Sequence, residues 1–185
     1  MSGFFQEEDF ENQTEIAKGE YENCRFLNCD FSESDLTDYK FIECDFSSCN
    51  LSLSKLNQTL LQKVHFKDCK LLGLNFDDCN EFSLSISFEN SQLNHAVFYQ
   101  LKIKKTIFKN CQMIGCDFTE ADLSESFFEN SNLQDAQFDR TQLQKADFRT
   151  AYNFSIDPEL NNIKNAKFSK ENLVGLLDKY NLKIE

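Results

Sequence analysis

Every fifth residue of this chain is apolar over most of its length, and that period excludes most of the ways a protein can fold. Stepping from Ile16 by fives gives Tyr21, Phe26, Phe31, Leu36, Phe41, Phe46, Leu51, Leu56, Leu61, Phe66, Leu71 and Phe76. Glu81 ends this frame. A second, displaced by two residues, runs Phe88, Leu93, Phe98, Ile103, Phe108, Met113, Phe118, Leu123, Phe128, Leu133, Phe138, Leu143 and Phe148. No polar residue interrupts either series. The periods of an α-helix and of a strand would both scatter these side chains over every face. A chain that turns a right angle at each pentad keeps them together: each pentad is one side of a square, its central residue points to the axis, and four pentads close a coil. Coils stacked at about 4.8 Å give every backbone group a partner above or below. The fold expected is therefore all-β, a right-handed quadrilateral parallel β-helix, with a short C-terminal α-helix as cap.

Residues twenty apart should then form columns of consistent chemistry. With two extra residues placed between Phe76 and Phe88, one column reads Phe26, Phe46, Phe66, Phe88, Phe108, Phe128, Phe148, and the opposite side reads Leu36, Leu56, Phe76, Phe98, Phe118, Phe138. Phe82 is expected to fill the vacancy in the column of Leu61 and Ile103. The position two before each central residue also points inward and must be small, which Gly19, Cys24, Ser34, Thr59, Ala96 and Ala121 illustrate. Tyr39, Val64, Leu74, Ile86 and Leu101 break that rule near the insertion, so distorted coils are expected there. The organisation predicted is a lead-in over 1–13, about seven coils over 14–150 with a two-residue bulge near 77–87, and a cap over 151–185. The cap holds a helix at about 170–180 behind Ser169, an N-cap residue type. A short strand, Leu182 to Ile184, closes the chain. An exposed solenoid end needs such a cap, and its apolar stripe of Leu173, Leu176, Leu177, Tyr180, Leu182 and Ile184 is also the surface a symmetry mate would cover.

Charge and chemistry exclude several functions. The net charge is −12, with 19 Lys plus Arg against 31 Asp plus Glu, so direct binding to nucleic acid or to an anionic membrane is not expected. The first ten residues have no apolar run behind a basic segment, and no window approaches a membrane span, which predicts a cytoplasmic protein. All eight cysteines fall on the small inward slot, where a small apolar residue is needed, so neither metal nor disulfide is expected. His65 and His95 stand outward on different sides, with no nucleophile expected beside either, and no Gly-rich phosphate loop occurs. No enzyme, catalytic residue, metal or cofactor is predicted. The informative surface is the side of Leu36, which carries Asp35, Asp38, Asp77, Asp78, Asp117, Glu120 and Asp139 against Lys55 and Arg140. The adjacent side through Phe41 is mixed and includes Lys102, Lys104 and Lys105, with Lys109 nearby.

The repeat resembles the pentapeptide repeat family, whose unit is a small residue, Asp or Asn, Leu or Phe, then two polar residues. Cys29-Asp30-Phe31-Ser32-Glu33, Ala121-Asp122-Leu123-Ser124-Glu125 and Ala146-Asp147-Phe148-Arg149-Thr150 fit it, and the likeness covers 14–150. The stretch Ser155 to Ile163 and the segment Gly175 to Ile184 are similar to the end of the McbG and Qnr group within that family. The long loops of several Qnr proteins are missing. That resemblance implies a non-enzymatic acidic rod shaped like DNA, which binds a type II topoisomerase (DNA gyrase or topoisomerase IV), protects it from a toxin or a quinolone-type inhibitor, and forms a homodimer through the C-terminal cap. The alternative is a scaffold that uses exposed Val97, Tyr99, Ile107, Ile114 and Phe127 against a partner other than a topoisomerase.

Overall fold

The computed structural model describes residues 3–183 and forms a parallel β-solenoid. Two sides of the square carry regular strands. On one, β1 (Gly3–Gln6), β3 (Gly19–Glu22), β5 (Lys40–Ile42) and β7 (Leu60–Gln62) stack in that order. On the next, β2 (Asp9–Glu11), β4 (Arg25–Leu27), β6 (Asp45–Ser47), β8 (Val64–Lys67), β9 (Ile86–Glu89), β10 (Ile107–Lys109) and β11 (Phe127–Glu129) form a seven-stranded sheet. The remaining sides are held by isolated parallel bridges such as Asp30 to Asn50 and Asp117 to Gln137.

The columns are those the period implies. Phe26, Phe46, Phe66, Phe88, Phe108, Phe128 and Phe148 stack with centroids 4.4–5.5 Å apart. Phe76, Phe98, Phe118 and Phe138 stack likewise at 4.8–5.2 Å. The two columns meet edge to face across the axis, as at Phe98 and Phe108 (6.0 Å). That arrangement suits the ring quadrupole and leaves no room for water between the ladders. The main ladder runs further than its frame, with Phe10 below Phe26 (5.1 Å) and Phe168 above Phe148 (5.3 Å). Phe10 escapes a fixed step because the first coil is short: Asp9 pairs with Arg25, sixteen residues on instead of twenty. Gly3–Gln6 and Asp9–Glu11, within the lead-in expected from the sequence, are already strands of the two sheets.

The small inward slot has a second requirement that size alone does not reveal. The Cys44, Cys49 and Cys69 thiols donate to the carbonyls of Tyr21, Phe26 and Phe46 in the coil below, each at 3.3 Å, and the Thr59 and Thr141 hydroxyls reach Leu36 and Phe118 at 2.7 and 2.9 Å. A donor at this slot gives the carbonyl of an inward residue of the coil below a further partner at the corner. The corners themselves use left-handed backbone, and mostly without glycine: Asn28, Glu33, Asp38, Leu53, Lys105 and Glu120 all have φ between 53° and 62°. Asn and Asp tolerate this region better than other residues, and each remaining type costs about 1–2 kcal/mol.

The insertion is local. Leu60 bridges Asn80 at a separation of twenty, whereas Val64 pairs with Ile86 at twenty-two, so the two extra residues lie between Asn80 and Ile86. Phe82 does not fill the vacant inward place; it is 75% exposed, and Leu84 packs against the core instead. Asn80 Oδ1 accepts from Phe82 N (2.9 Å) as Asp30 and Asn50 accept from Ser32 and Ser52 in regular pentads, and Ser83 takes the left-handed corner (φ 56°), so Glu81 holds the central place of this pentad and Phe82 falls on its outward turn. Tyr39, Val64, Leu74, Ile86 and Leu101 are all buried, so the coil accommodates them rather than expelling them. Phe76–Asp78 forms a 3-10 turn there.

The cap departs from the expected α-helix. Leu173–Leu176 and Asp178–Tyr180 are two 3-10 turns, and Asn181 ends the second in the left-handed conformation. Gly175 lies against Phe154, too close for any Cβ, and its carbonyl accepts from Ile156 N (2.9 Å), which pins the chain where a regular helix would have to lift away. The Asn172 side chain donates to the Phe148 and Ala151 carbonyls (2.8 and 3.0 Å), closing the last coil. Lys179 bridges Asp157 (2.7 Å) and Glu159 (2.8 Å). Leu176 faces the core; Leu173, Leu177, Tyr180 and Leu182 are exposed. Leu182 belongs to no strand, and Ile184 lies outside the described residues.

Candidate partner-binding faces

An acidic face requires carboxylates on one side of the rod, and the outward positions beside each central residue supply them. All seven predicted residues flank the column of Leu36, Phe76, Phe118 and Phe138, and they are grouped in bands. Bridges align Asn75 with Val97, Val97 with Asp117, and Asp117 with Gln137, so Asp117 repeats the place of Asp35 four coils on, about 19 Å along the axis. Lys55 beside Asp35, and Val97, Tyr99 and Gln100, fill the coils between.

The seven carboxylates are not equivalent. Asp38 pairs with Lys18 (2.9 Å), Glu120 with Arg140 (2.8 Å), and Asp139 lies 3.4 Å from the same guanidinium. Asp35, Asp77, Asp78 and Asp117 make no ion pair among the described residues. Asp35 accepts from the Thr37 amide (3.0 Å), and hydrogen bonds from Thr37, the hydroxyl first, hold its pKa below the ordinary value. Asp117 accepts in the same way from the Thr119 amide (2.8 Å). Asp77 is the strained member: one carboxylate oxygen is buried without a hydrogen-bond partner, and burial, then the charges of Asp78 and Asp117, push its pKa up. Sequence reasoning placed Asp77 on this face but had no signal for its burial, because that follows from the 3-10 turn.

Of the residues expected to serve a scaffold, only Ile107 and Phe127 come together, as directly paired neighbours of β10 and β11. Val97 and Tyr99 lie on the acidic face, and Ile114 on the side of Leu93 and Met113.

One expectation fails. His65 does have a hydroxyl beside it: its Nδ1 is 2.9 Å from Ser87 Oγ, and its Nε2 is 4.0 Å from Glu89, because the insertion sets Ser87 directly above His65. The arrangement lacks the other parts of a nucleophilic site. Glu89 is engaged by Lys109 at 3.0 Å, and the nearby amides of Val64 and His65 are committed to the Ser85 and Cys44 carbonyls, so they form no oxyanion hole. All eight thiols are free and buried. Burial pushes Cys44 and Cys116 up to about 12 and Cys111 up to about 11. Among the described residues, no three His, Cys, Asp or Glu side chains are grouped to hold a metal ion, and no helix is long and apolar enough to cross a membrane.

No curated protein matches the chain. Among solved structures, trypsin-treated QnrB1, a plasmid-mediated fluoroquinolone resistance protein, is similar at a TM-score of 0.66 and 18% identity, with 100% of this chain and 98% of that one covered. HetL, a pentapeptide repeat protein involved in heterocyst differentiation regulation from the cyanobacterium Nostoc, aligns at a TM-score of 0.39 and 14% identity over 90% of this chain and 86% of its own. The QnrB1 likeness speaks for the fold. A model of the pentapeptide repeat region matches residues 20–98, and one of eight pentapeptide repeat copies matches residues 111–149. Together these span more than half of the chain, on the same pentads whose central residues form the stacked columns, and the chain belongs to the pentapeptide repeat family.

Proposed function

We propose that the chain is a non-enzymatic binding rod that docks its acidic face onto the cationic DNA-binding surface of a type II topoisomerase, DNA gyrase or topoisomerase IV, and thereby protects that enzyme from a toxin or a quinolone-type inhibitor. The reading rests on one observation: a rigid column with carboxylates in bands on a single side, four of them without an ion pair. Duplex DNA presents one charge per about 1.7 Å, far denser than these bands, so the rod would engage clusters of Lys and Arg and not mimic each phosphate. Asp77 supports the reading further, since a carboxylate held against its own desolvation costs stability that a purely structural position would not retain. The QnrB1 fold, carried by a fluoroquinolone resistance protein, agrees with it. The exposed Leu173, Leu177, Tyr180 and Leu182 would pair two copies at the cap, and the cytoplasm is the compartment in which such a rod would meet its target.

Replacing Asp35, Asp77, Asp78 and Asp117 by Asn should weaken gyrase binding at least about tenfold, as measured by surface plasmon resonance, and abolish protection in a supercoiling assay with a quinolone. Asp77→Asn alone should weaken binding while raising the thermal midpoint. Undiminished affinity in the fourfold variant would remove the acidic face from the account.

A further inference from the structure

The side of the square opposite the acidic face carries an apolar ridge at which cations outnumber the acids that pair them. Ile107 and Phe127, paired across β10 and β11, are 47% and 46% exposed. Phe127 separates two clefts of about 460 and 510 Å³. The second is walled by Lys105, Lys145 and Lys167 around Glu125. Here the cations share too few anions. Lys105 and Lys145 divide the single Glu125 carboxylate, at 4.0 and 3.6 Å, and Lys167 lies 3.9 Å from Asp147, which Arg149 already holds at 2.7 Å. In a chain of net charge −12 this is a local reversal of sign, and it borders the two stacked apolar side chains. A paired aromatic and aliphatic side chain beside incompletely neutralised cations offers apolar area and a charge complementary to carboxylates.

We propose that this ridge is a second docking surface, which takes an extended segment of a partner protein bearing an aromatic or aliphatic side chain flanked by carboxylates. The apolar side chain packs on Phe127 and Ile107, and the carboxylates enter the lysine-walled cleft, away from Glu129, which lines the other one. Neighbouring coils occupy the backbone groups of β10 and β11, for example Asn110 N to the Glu129 carbonyl (2.8 Å) and Phe128 N to the Asp147 carbonyl (3.0 Å). Recognition therefore runs through side chains and not through strand addition. Because the acidic face lies on the opposite side, both surfaces can be occupied at once.

The probes are fluorescein-labelled twelve-residue peptides with a central Phe flanked by Asp and Glu, a charge-inverted version with Lys, and an acidic version with Ala for Phe. Fluorescence anisotropy at low salt with the full chain should give saturable binding of the acidic Phe peptide only. Two variants test the surface, Phe127→Ser with Ile107→Thr and Lys105→Glu with Lys145→Glu. These positions are exposed or at the rim, and unchanged thermal midpoints verify the fold. Each variant should weaken binding at least about tenfold while leaving gyrase binding as in the unaltered chain, so that failure of this surface and failure of the acidic face are read separately. No saturable binding of the acidic Phe peptide, or binding that survives either variant, overturns the proposal. So does sedimentation showing self-association that Phe127→Ser abolishes, since the occupant is then a second copy.

Discussion

At the scale of single residues, the core is a set of interchangeable rungs with strict demands on volume. Phe108 is fully buried between Phe88 and Phe128 (5.3 and 5.1 Å) and meets Phe98 and Phe118 edge on. Phe108→Ala should cost about 3–5 kcal/mol in denaturant unfolding, because the coils above and below cannot collapse into the gap without losing register. A loss under about 1 kcal/mol would mean that the ladder repacks freely. The inward cysteines obey the same economy of space: each fills a slot next to the corner, and Cys44, Cys49, Cys69 and Cys116 donate to a carbonyl of the coil below. This explains why Cys, Ser and Thr alternate there, and why Ala, which lacks a donor, is one choice among several.

At the scale of elements, the insertion between Asn80 and Ile86 is the place to test how strictly the pentad governs the chain. Deleting Glu81 and Leu84 would leave Cys79-Asn80-Phe82-Ser83-Ser85, a regular pentad with Phe82 inward between Leu61 and Ile103. The thermal midpoint of that variant should rise, since an exposed Phe becomes buried at about 1.5–3 kcal/mol less the entropy of ordering it. A fall in the midpoint would show that the outward loop is itself required. The column logic was legible in the sequence because a period of five with no polar exception admits few folds. Phe82 does not fill the column because the first frame runs on for one more pentad, with Glu81 in the central place and Ser83 at the left-handed corner, before the two extra residues enter. Phe10 was missed because the first coil spans sixteen residues. The cap was read as a helix from the spacing of Leu173, Leu176, Leu177 and Tyr180, but Gly175 packed on Phe154 imposes two tighter turns. The acidic side was legible residue by residue, and the stacking also implies its ion pairs, since Lys18 and Arg140 stand twenty residues from Asp38 and Glu120. Ser87 over His65 follows likewise from Phe88 over Phe66; the column does not show that the two side chains turn toward each other.

At the scale of the whole molecule, stability should follow the carboxylates. Asp30, Asp35, Asp147 and Glu89 have depressed pKa values, held down chiefly by hydrogen bonds from Ser32, Thr37, Arg149 and Lys109 respectively. A folded pKa below the unfolded one means that the contribution is present above the ordinary carboxylate range and is lost as pH falls through the depressed values. Asp77 works in the opposite sense: its penalty grows as pH rises past 3.8 and is complete above its raised folded pKa. Asp122, Asp157 and Glu159 are held low as well, and seven groups against one predict a denaturation midpoint that is level from about pH 5 to 8 and drops below about pH 4; a midpoint rising on acidification from 5 to 3 would contradict this balance. The short first coil, closed by Asp9 on Arg25, matters for a chain made from its N-terminus. The segment from Gly3 to Leu27 already holds a complete template edge, and each later turn needs only the one synthesised just before it. Assembly can thus keep pace with translation in a fixed direction, and the contacts of Asn172 and Gly175 close over the last coil only after the coils before it have stacked.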